Sequence, residues 1–250
     1  MNEQKKEGRP VVAPPSTPIL IKRDAETTWP EDERLFYLLS RDGLYRCRQT
    51  EFFRSCVKVE DGPSELERQT SFFEPRFPTI PRALIERAVG FFSEVADLHG
   101  SEAAALFALD QGTGRVELIV PEQTATMGAL HSRRPYPVGV HYRMPTDLPD
   151  DWVVFADIHC HVDYAAYASH TDKEDELHSA GLHVVVGRIS DEPPQFHVEA
   201  VVDGHRLTLE SSQIMEGYHR RATDVPREWV DRVEIAPAAS RGWAYEWNYA

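Results

Sequence analysis

The amino-acid sequence predicts an α/β fold, a mixed sheet flanked by helices, with a small β-rich unit ahead of it. Three observations carry this. Leu84, Ile85, Ala88, Val89, Phe92, Val95 and Ala96 recur at helical spacing and make one apolar face. Runs rich in β-branched, aromatic and aliphatic residues follow, at about 103–109, 115–120, 152–158 and 182–187. Helix, strands, helix and strands, in that order, make an α/β domain with a mixed sheet.

Each element has its own justification. Residues 1–18 hold Pro10, Pro14, Pro15 and Pro18 among polar residues and are expected to be disordered. Residues 19–76 are the small β-rich domain. There two apolar runs, ending at Leu39 and starting at Leu44, flank Ser40-Arg41-Asp42-Gly43, and Asp-Gly is a hairpin signal. Phe52, Phe53, Cys56, Val57 and Val59 are expected to add to its core. Phe77-Pro78-Thr79-Ile80-Pro81 marks a boundary, and the main domain runs over 77–224. Pro81 suits the first turn of a helix, and Gly100 ends it. A Gly112-Thr113-Gly114 turn separates the next two strands. Residues 121–149, rich in Pro, Arg and Gly, read as an insertion bordering a substrate groove, with a short strand near Val138–Tyr142. A strand running into His159, a helix over about 170–180 and the strand ending at Gly187 come next. Residues 196–202 and 206–209 make a hairpin around Asp203-Gly204. The segment 225–250 ends in Trp243, Tyr245, Trp247 and Tyr249, spaced by small or polar residues. It reads as an edge strand or tail packed on the domain, with a partner-docking segment as the alternative.

Composition narrows the function classes. The chain has 250 residues, enough for one ordinary core and a small second unit. Its 41 acidic against 27 basic residues leave a net charge of −14, which argues against nucleic acid or an anionic membrane as the main partner. No apolar run reaches spanning length. The charged start, Met1 to Glu7, lacks the apolar region of a secretory signal. Cys47, Cys56 and Cys160 are an odd number without metal-type spacing, which fits a reducing cytoplasm.

The stretch that carries chemistry is His159-Cys160-His161, seven residues, Ser169, two residues, Asp172. On a strand, side chains alternate faces, so His159 and His161 share one side and Cys160 takes the other. A lone His-x-His means little in a chain with eleven histidines, and Ser-x-x-Asp at a helix start is also a capping box. Their combination at this spacing points to a metal site. Two histidines and one aspartate leave a fourth position for water, which is the pattern of catalytic rather than structural zinc. His178, His183, His197 and His205 lack ligand spacing and read as ordinary hydrogen-bonded or solvated histidines. Of the acidic run from Asp172 to Glu176, only Asp172 is assigned to metal.

This pattern resembles that of the JAMM (MPN-plus) metalloprotease family, over roughly residues 79–210. The resemblance implies an MPN (cytidine-deaminase-like) fold and a zinc ion held by His159, His161 and Asp172. It also implies an upstream glutamate as general base. Gly100-Ser101-Glu102-Ala103-Ala104-Ala105-Leu106-Phe107 looks like the family's glutamate segment, which names Glu102, with Glu117 and Glu122 as rivals. Ser169 would hydrogen-bond the attacking water or the developing oxyanion. Two positions depart from the family: Cys160 stands where Ser is usual, and Val162 where Pro is frequent. Neither is a ligand, but the loop after His161 is expected to have its own shape. The implied activity is a zinc-dependent isopeptidase or peptidase cleaving after the C-terminus of a ubiquitin-like protein. The chain looks more similar to free-standing prokaryotic members, which often accompany a ubiquitin-like protein with activating and conjugating enzymes, in some cases within antiphage systems. A peptidase trimming a sulfur-carrier protein or its adduct is one alternative, and a non-catalytic MPN scaffold is another.

Overall fold

The structure is a computed structural model that describes residues 17–128, 135–177 and 179–237. Its contacts divide the chain into two units, one up to Thr70 and one from Ser71. Most of the expected N-terminal tail, His178 and the four C-terminal aromatics lie outside the described residues.

The first unit is a four-stranded sheet, β1 (Ile19–Ile21), β2 (Leu35–Ser40), β3 (Gly43–Gln49) and β4 (Arg54–Val59), in that spatial order. The Asp-Gly signal marks the β2–β3 turn, where Gly43 takes φ +122°. The core is small: Phe36, Leu38 and Cys47, covered by Leu20, Trp29 and Tyr45. The five residues expected to enlarge it do not. Phe52 is 87% exposed, Phe53, Cys56 and Val57 are exposed, and Val59 is half-buried. The cause is position in the sheet. β4 is the outermost strand, and Phe52 and Phe53 lie in the loop beyond the last pair, Gln49 and Arg54. The Thr50 hydroxyl accepts from the backbone N–H groups of both and closes that loop with their rings outside.

The second unit begins with α1 (Arg82–His99), preceded by Pro81 at φ −58°. Gly100 stops it in the left-handed region, φ +64°, and donates its N–H to the Ala96 carbonyl. The main sheet has the order β12-β11-β10-β9-β5-β6. It is built from β5 (Ala104–Asp110), β6 (Arg115–Ile119), β9 (Trp152–Cys160), β10 (Gly181–Gly187), β11 (Gln195–Val202) and β12 (His205–Leu209). Only β9 and β10 are parallel, joined through the short helix α2 (His170–Asp175). The Asp203-Gly204 hairpin forms as expected, with both residues at positive φ. A second sheet pairs β7 (Gln123–Gly128) with β8 (Tyr136–Tyr142) and β13 (Val233–Pro237), and a four-residue helix, α3 (Arg227–Val230), leads into β13.

The fold is thus mixed α/β with three mixed sheets, but strands dominate, 39% against 14% helix, and one long helix covers the main sheet. Residues 121–149 carry the short strand expected near Val138–Tyr142 as β8, and they also supply β7, so they form two strands of a sheet. The sequence does not mark β7, because Gln123-Thr124-Ala125-Thr126-Met127-Gly128 alternates small and polar side chains with little hydrophobic contrast. The helix expected over 170–180 ends at Asp175, since no residue of it is buried to extend its packing. The first part of the C-terminal segment is an edge strand, β13, parallel to β7. Among the described residues no helix is long and apolar enough to cross a membrane.

One core serves the second unit. Ile85, Val89 and Phe92 of α1 meet Phe107 of β5, Ile158 of β9 and Val184 of β10. Cys160 belongs to this core and is fully buried; burial pushes its thiol up to about 12. Cys160→Ser is therefore expected to leave metal content intact while lowering stability by about 1–3 kcal/mol, the cost of burying an ill-partnered hydroxyl. Urea unfolding beside metal analysis checks both; loss of metal from a folded variant would contradict this placement.

Candidate metal centre

The pleat of β9 sorts its side chains into two jobs. Ala156, Ile158 and Cys160 enter the core under α1. Asp157, His159 and, one residue past the strand, His161 take the opposite face. The His161 N–H donates to the Val186 carbonyl at 2.8 Å, which keeps it in line with the sheet. Ala104 of β5 pairs directly with His159. Glu102 stands two residues before Ala104, on that same face, and is 8% exposed.

The chain must then turn back to supply a third ligand. Val162 takes φ +51°, a conformation rare for a β-branched residue and closed to proline, whose ring holds φ near −65°. A proline at this position would need a different backbone path. The returning loop lies against the end of β10. A Cβ on Gly187 would stand 2.2 Å from the Ala166 nitrogen, so glycine is needed there. The N–H groups of Arg188 and Ile189 donate to the carbonyls of Tyr164 and Val162 and pin the loop. Ser169 then caps α2. Its hydroxyl accepts from the Asp172 N–H at 3.2 Å, and its own N–H donates to Asp172 Oδ2 at 2.7 Å. The capping box is real, and it aims Asp172 at the histidines.

Three donor atoms converge. His159 Nε2 and His161 Nε2 are 3.2 Å apart, and Asp172 Oδ2 lies 3.6 Å and 3.3 Å from them. Ligands bonded at about 2.1 Å to one tetrahedral ion stand about 3.4 Å from each other. The trio fits such an ion. A second trio, Asp157, His159 and Glu176, is also close enough. Its carboxylates are already engaged, Asp157 by His183 at 2.6 Å and Glu176 by Arg206 at 2.7 Å. The first trio is the better metal site, because no arginine or histidine from outside it engages its donor atoms.

The electrostatics agree. Burial works against a protonated His159, but the hydrogen bond and charge of Asp172 outweigh it and raise the imidazole to about 9. Burial works against an ionised Asp172 as well, yet His159 and His161 hold its carboxyl far below the usual carboxylate range. Burial lifts Glu102 above an ordinary glutamate, and the two histidines pull it part of the way back.

A cleft of about 310 Å³ opens beside the trio. Glu102, His159 and Asp172 line one side, and Val140, His141 and Tyr142 of β8 line another. The rival glutamates are elsewhere. Glu117 sits on β6 beside Arg115 at 3.4 Å, and the Glu122 side chain is 82% exposed near Arg232. His170 is exposed and pairs with Glu174. The sequence assigns no role to Asp157 or Arg206, and it presents Glu176 as a helix-start charge and His183 as an ordinary histidine. Asp157 carried one usable signal, since it precedes His159 by two residues on the same strand. His183 of β10 is hydrogen-bonded, as expected, but it is also buried, and its partner is Asp157, opposite it on β9. Compared with known proteins, the chain matches no family model and no curated relative.

One divalent ion per chain is expected, with most of it lost in His161→Ala. Retention after both histidines are replaced would sink the assignment. Because His159 holds a proton that the ion must displace, affinity should fall about tenfold per pH unit below about 9, measured by chelator competition. Val162→Pro should abolish binding while Val162→Gly keeps it, the strained φ being natural to glycine.

Proposed function

We propose that this protein is a zinc-dependent isopeptidase or peptidase of the JAMM type, cutting after the C-terminal tail of a ubiquitin-like protein. The observation that carries the reading is the convergence of His159 Nε2, His161 Nε2 and Asp172 Oδ2 within 3.6 Å of one another, beside the buried Glu102. Two imidazoles and a carboxylate suit zinc. The ion, when bound, would polarise the scissile carbonyl and lower the pKa of a water at its open position.

The protein groups divide the rest of the work. Glu102 takes the proton of the attacking water and later delivers it to the leaving amine. Burial raises its carboxyl above an ordinary glutamate, which makes it a better proton acceptor than a free one. Ser169 Oγ accepts from the Asp172 N–H, which leaves its own hydroxyl proton to donate to the developing oxyanion. Asp172 and the histidines hold the ion, and Tyr167, edge-on to the His161 ring at 5.3 Å, braces that imidazole.

The substrate reading rests on β8 together with the family resemblance. β8 is one of the two outer strands of its sheet, and its last residues line the cleft at the metal trio. A second cleft of about 370 Å³ shares His141 and Tyr142 and runs across the end of the sheet to Gln123 and Thr124 of β7 and Glu234 of β13. An extended tail laid beside β8 would gain main-chain hydrogen bonds and deliver its terminal carbonyl toward the histidines. The acidic net charge favours a protein partner over nucleic acid.

Glu102→Gln is expected to keep its zinc and its fold and to lose hydrolysis by roughly a hundredfold or more. Near-normal turnover would remove Glu102 from the mechanism. The substrate class is tested by incubating the zinc-loaded protein with fusions of candidate ubiquitin-like proteins and reading the cut site by intact mass. Equal cleavage of unrelated unfolded peptides would mean a general peptidase. No cleavage of any fusion would turn the reading to a sulfur-carrier adduct.

A further inference from the structure

The helix that brings Asp172 to the histidines has no apolar anchor. α2 is six residues long, and none of them is buried. So short a helix is not stable alone, and its placement must come from its ends. Ser169 fixes the first end through the capping box. From Ser169 to Leu177 the single buried residue is Glu176, where the helix stops. Glu176 follows Asp172 by four residues, one helical turn, so the two move together.

Arg206 of β12 holds that second end. Its Nη1 donates to Glu176 Oε2 at 2.7 Å and to Glu199 Oε2 of β11 at 2.8 Å. Its Nη2 reaches the Asp172 carbonyl at 3.4 Å. On the other side of Glu176, Oε1 stands 3.5 Å from His183 Nδ1, which meets Asp157 Oδ2 at 2.6 Å. Asp157 and Glu176 in turn flank a ring nitrogen of His159 within 4.8 Å. One guanidinium therefore gathers two carboxylates from different elements and ties α2 to the sheet that carries the histidines. Lysine offers a point charge at this place, whereas the planar fork serves several acceptors at once.

We propose that Arg206 is a positioning residue for the metal centre: by clamping Glu176 and the Asp172 carbonyl, it holds α2 where Asp172 Oδ2 meets His159 and His161. The proposal rests on the metal-site reading above. It sets affinity for the ion rather than chemistry at the substrate. Groups that orient metal ligands from behind typically change affinity by about 10–100-fold.

The test uses the full chain and two probes, zinc and cobalt(II), with affinity from competition against a chromophoric chelator and geometry from the visible spectrum of the cobalt form. Arg206→Met is expected to bind both ions about 10–100-fold more weakly and to change the cobalt bands, as Asp172 leaves the ion. Arg206→Lys should recover part of the affinity. Glu176→Leu removes the acceptor that the clamp grips and leaves Arg206 still paired with Glu199, and it decides the matter if Arg206→Met does not fold. A folded Arg206→Met or Glu176→Leu protein with wild-type affinity and an unchanged cobalt spectrum would overturn the proposal. Wild-type protein that binds neither ion would overturn the metal centre itself, a separate result.

Discussion

The alternation of side chains along the end of β9 is the constraint on which the rest of the molecule depends. A strand in the middle of a sheet has two faces, and here they carry incompatible demands. Ile158 and Cys160 are fully buried beneath α1 and need apolar neighbours. His159 and His161, on the reverse face, need polar partners, and His159 opens onto a cleft. The period of two satisfies both without any special backbone feature. It also makes the site rigid, because the histidines cannot shift unless the core residues between them shift as well. β5 extends the same logic: Ala105 and Phe107 go to the core, while Ala104 leaves a small surface beside His159 and the chain before it brings Glu102 alongside.

The return of the chain to that face is solved by different physics. The loop after His161 and α2 bury few apolar side chains, so hydrophobic packing cannot place them. Backbone hydrogen bonds to the end of β10, the Ser169 cap and the Glu176–Arg206 pair do so instead. Such contacts are directional, which suits a residue that must present one oxygen at one point. They are also local strain carriers: Val162 at φ +51° is tolerated because its neighbours on both sides are pinned. In the proposed reaction this division matters. The strand-borne histidines are fixed by the core, whereas Asp172 and Ser169 depend on polar fastenings that a mutation can release one at a time.

The first unit shows the opposite economy. Its sheet has a core of three buried residues, and large apolar side chains stay outside it on β4 and its loop. An outer strand has one neighbour, so half of its surroundings are solvent whatever its sequence. Hydrophobicity in Phe52, Phe53 and Val57 was therefore no guide to burial.

What the sequence by itself determined follows from short-range periodicity. The face shared by His159 and His161, the apolar stripe of α1, the stop at Gly100 and the turns at Asp42-Gly43 and Asp203-Gly204 all depend on residues within a few positions of one another. The candidate ligands were legible for the same reason, since three of them sit inside fourteen residues whose spacing carries the geometry. What only the tertiary structure decided involves partners far apart in the chain. β7 becomes a strand because β8 and β13 cover its edges, not because its own pattern demands it. Glu102 joins the histidines through the β5–β9 pairing, across more than fifty residues. Arg206 reaches Glu176 across thirty, and His183 reaches Asp157 across twenty-six. No local rule marks an arginine in a hairpin as the fastening of a distant helix; that role exists only once the sheet order sets β12, β11 and β10 beside β9.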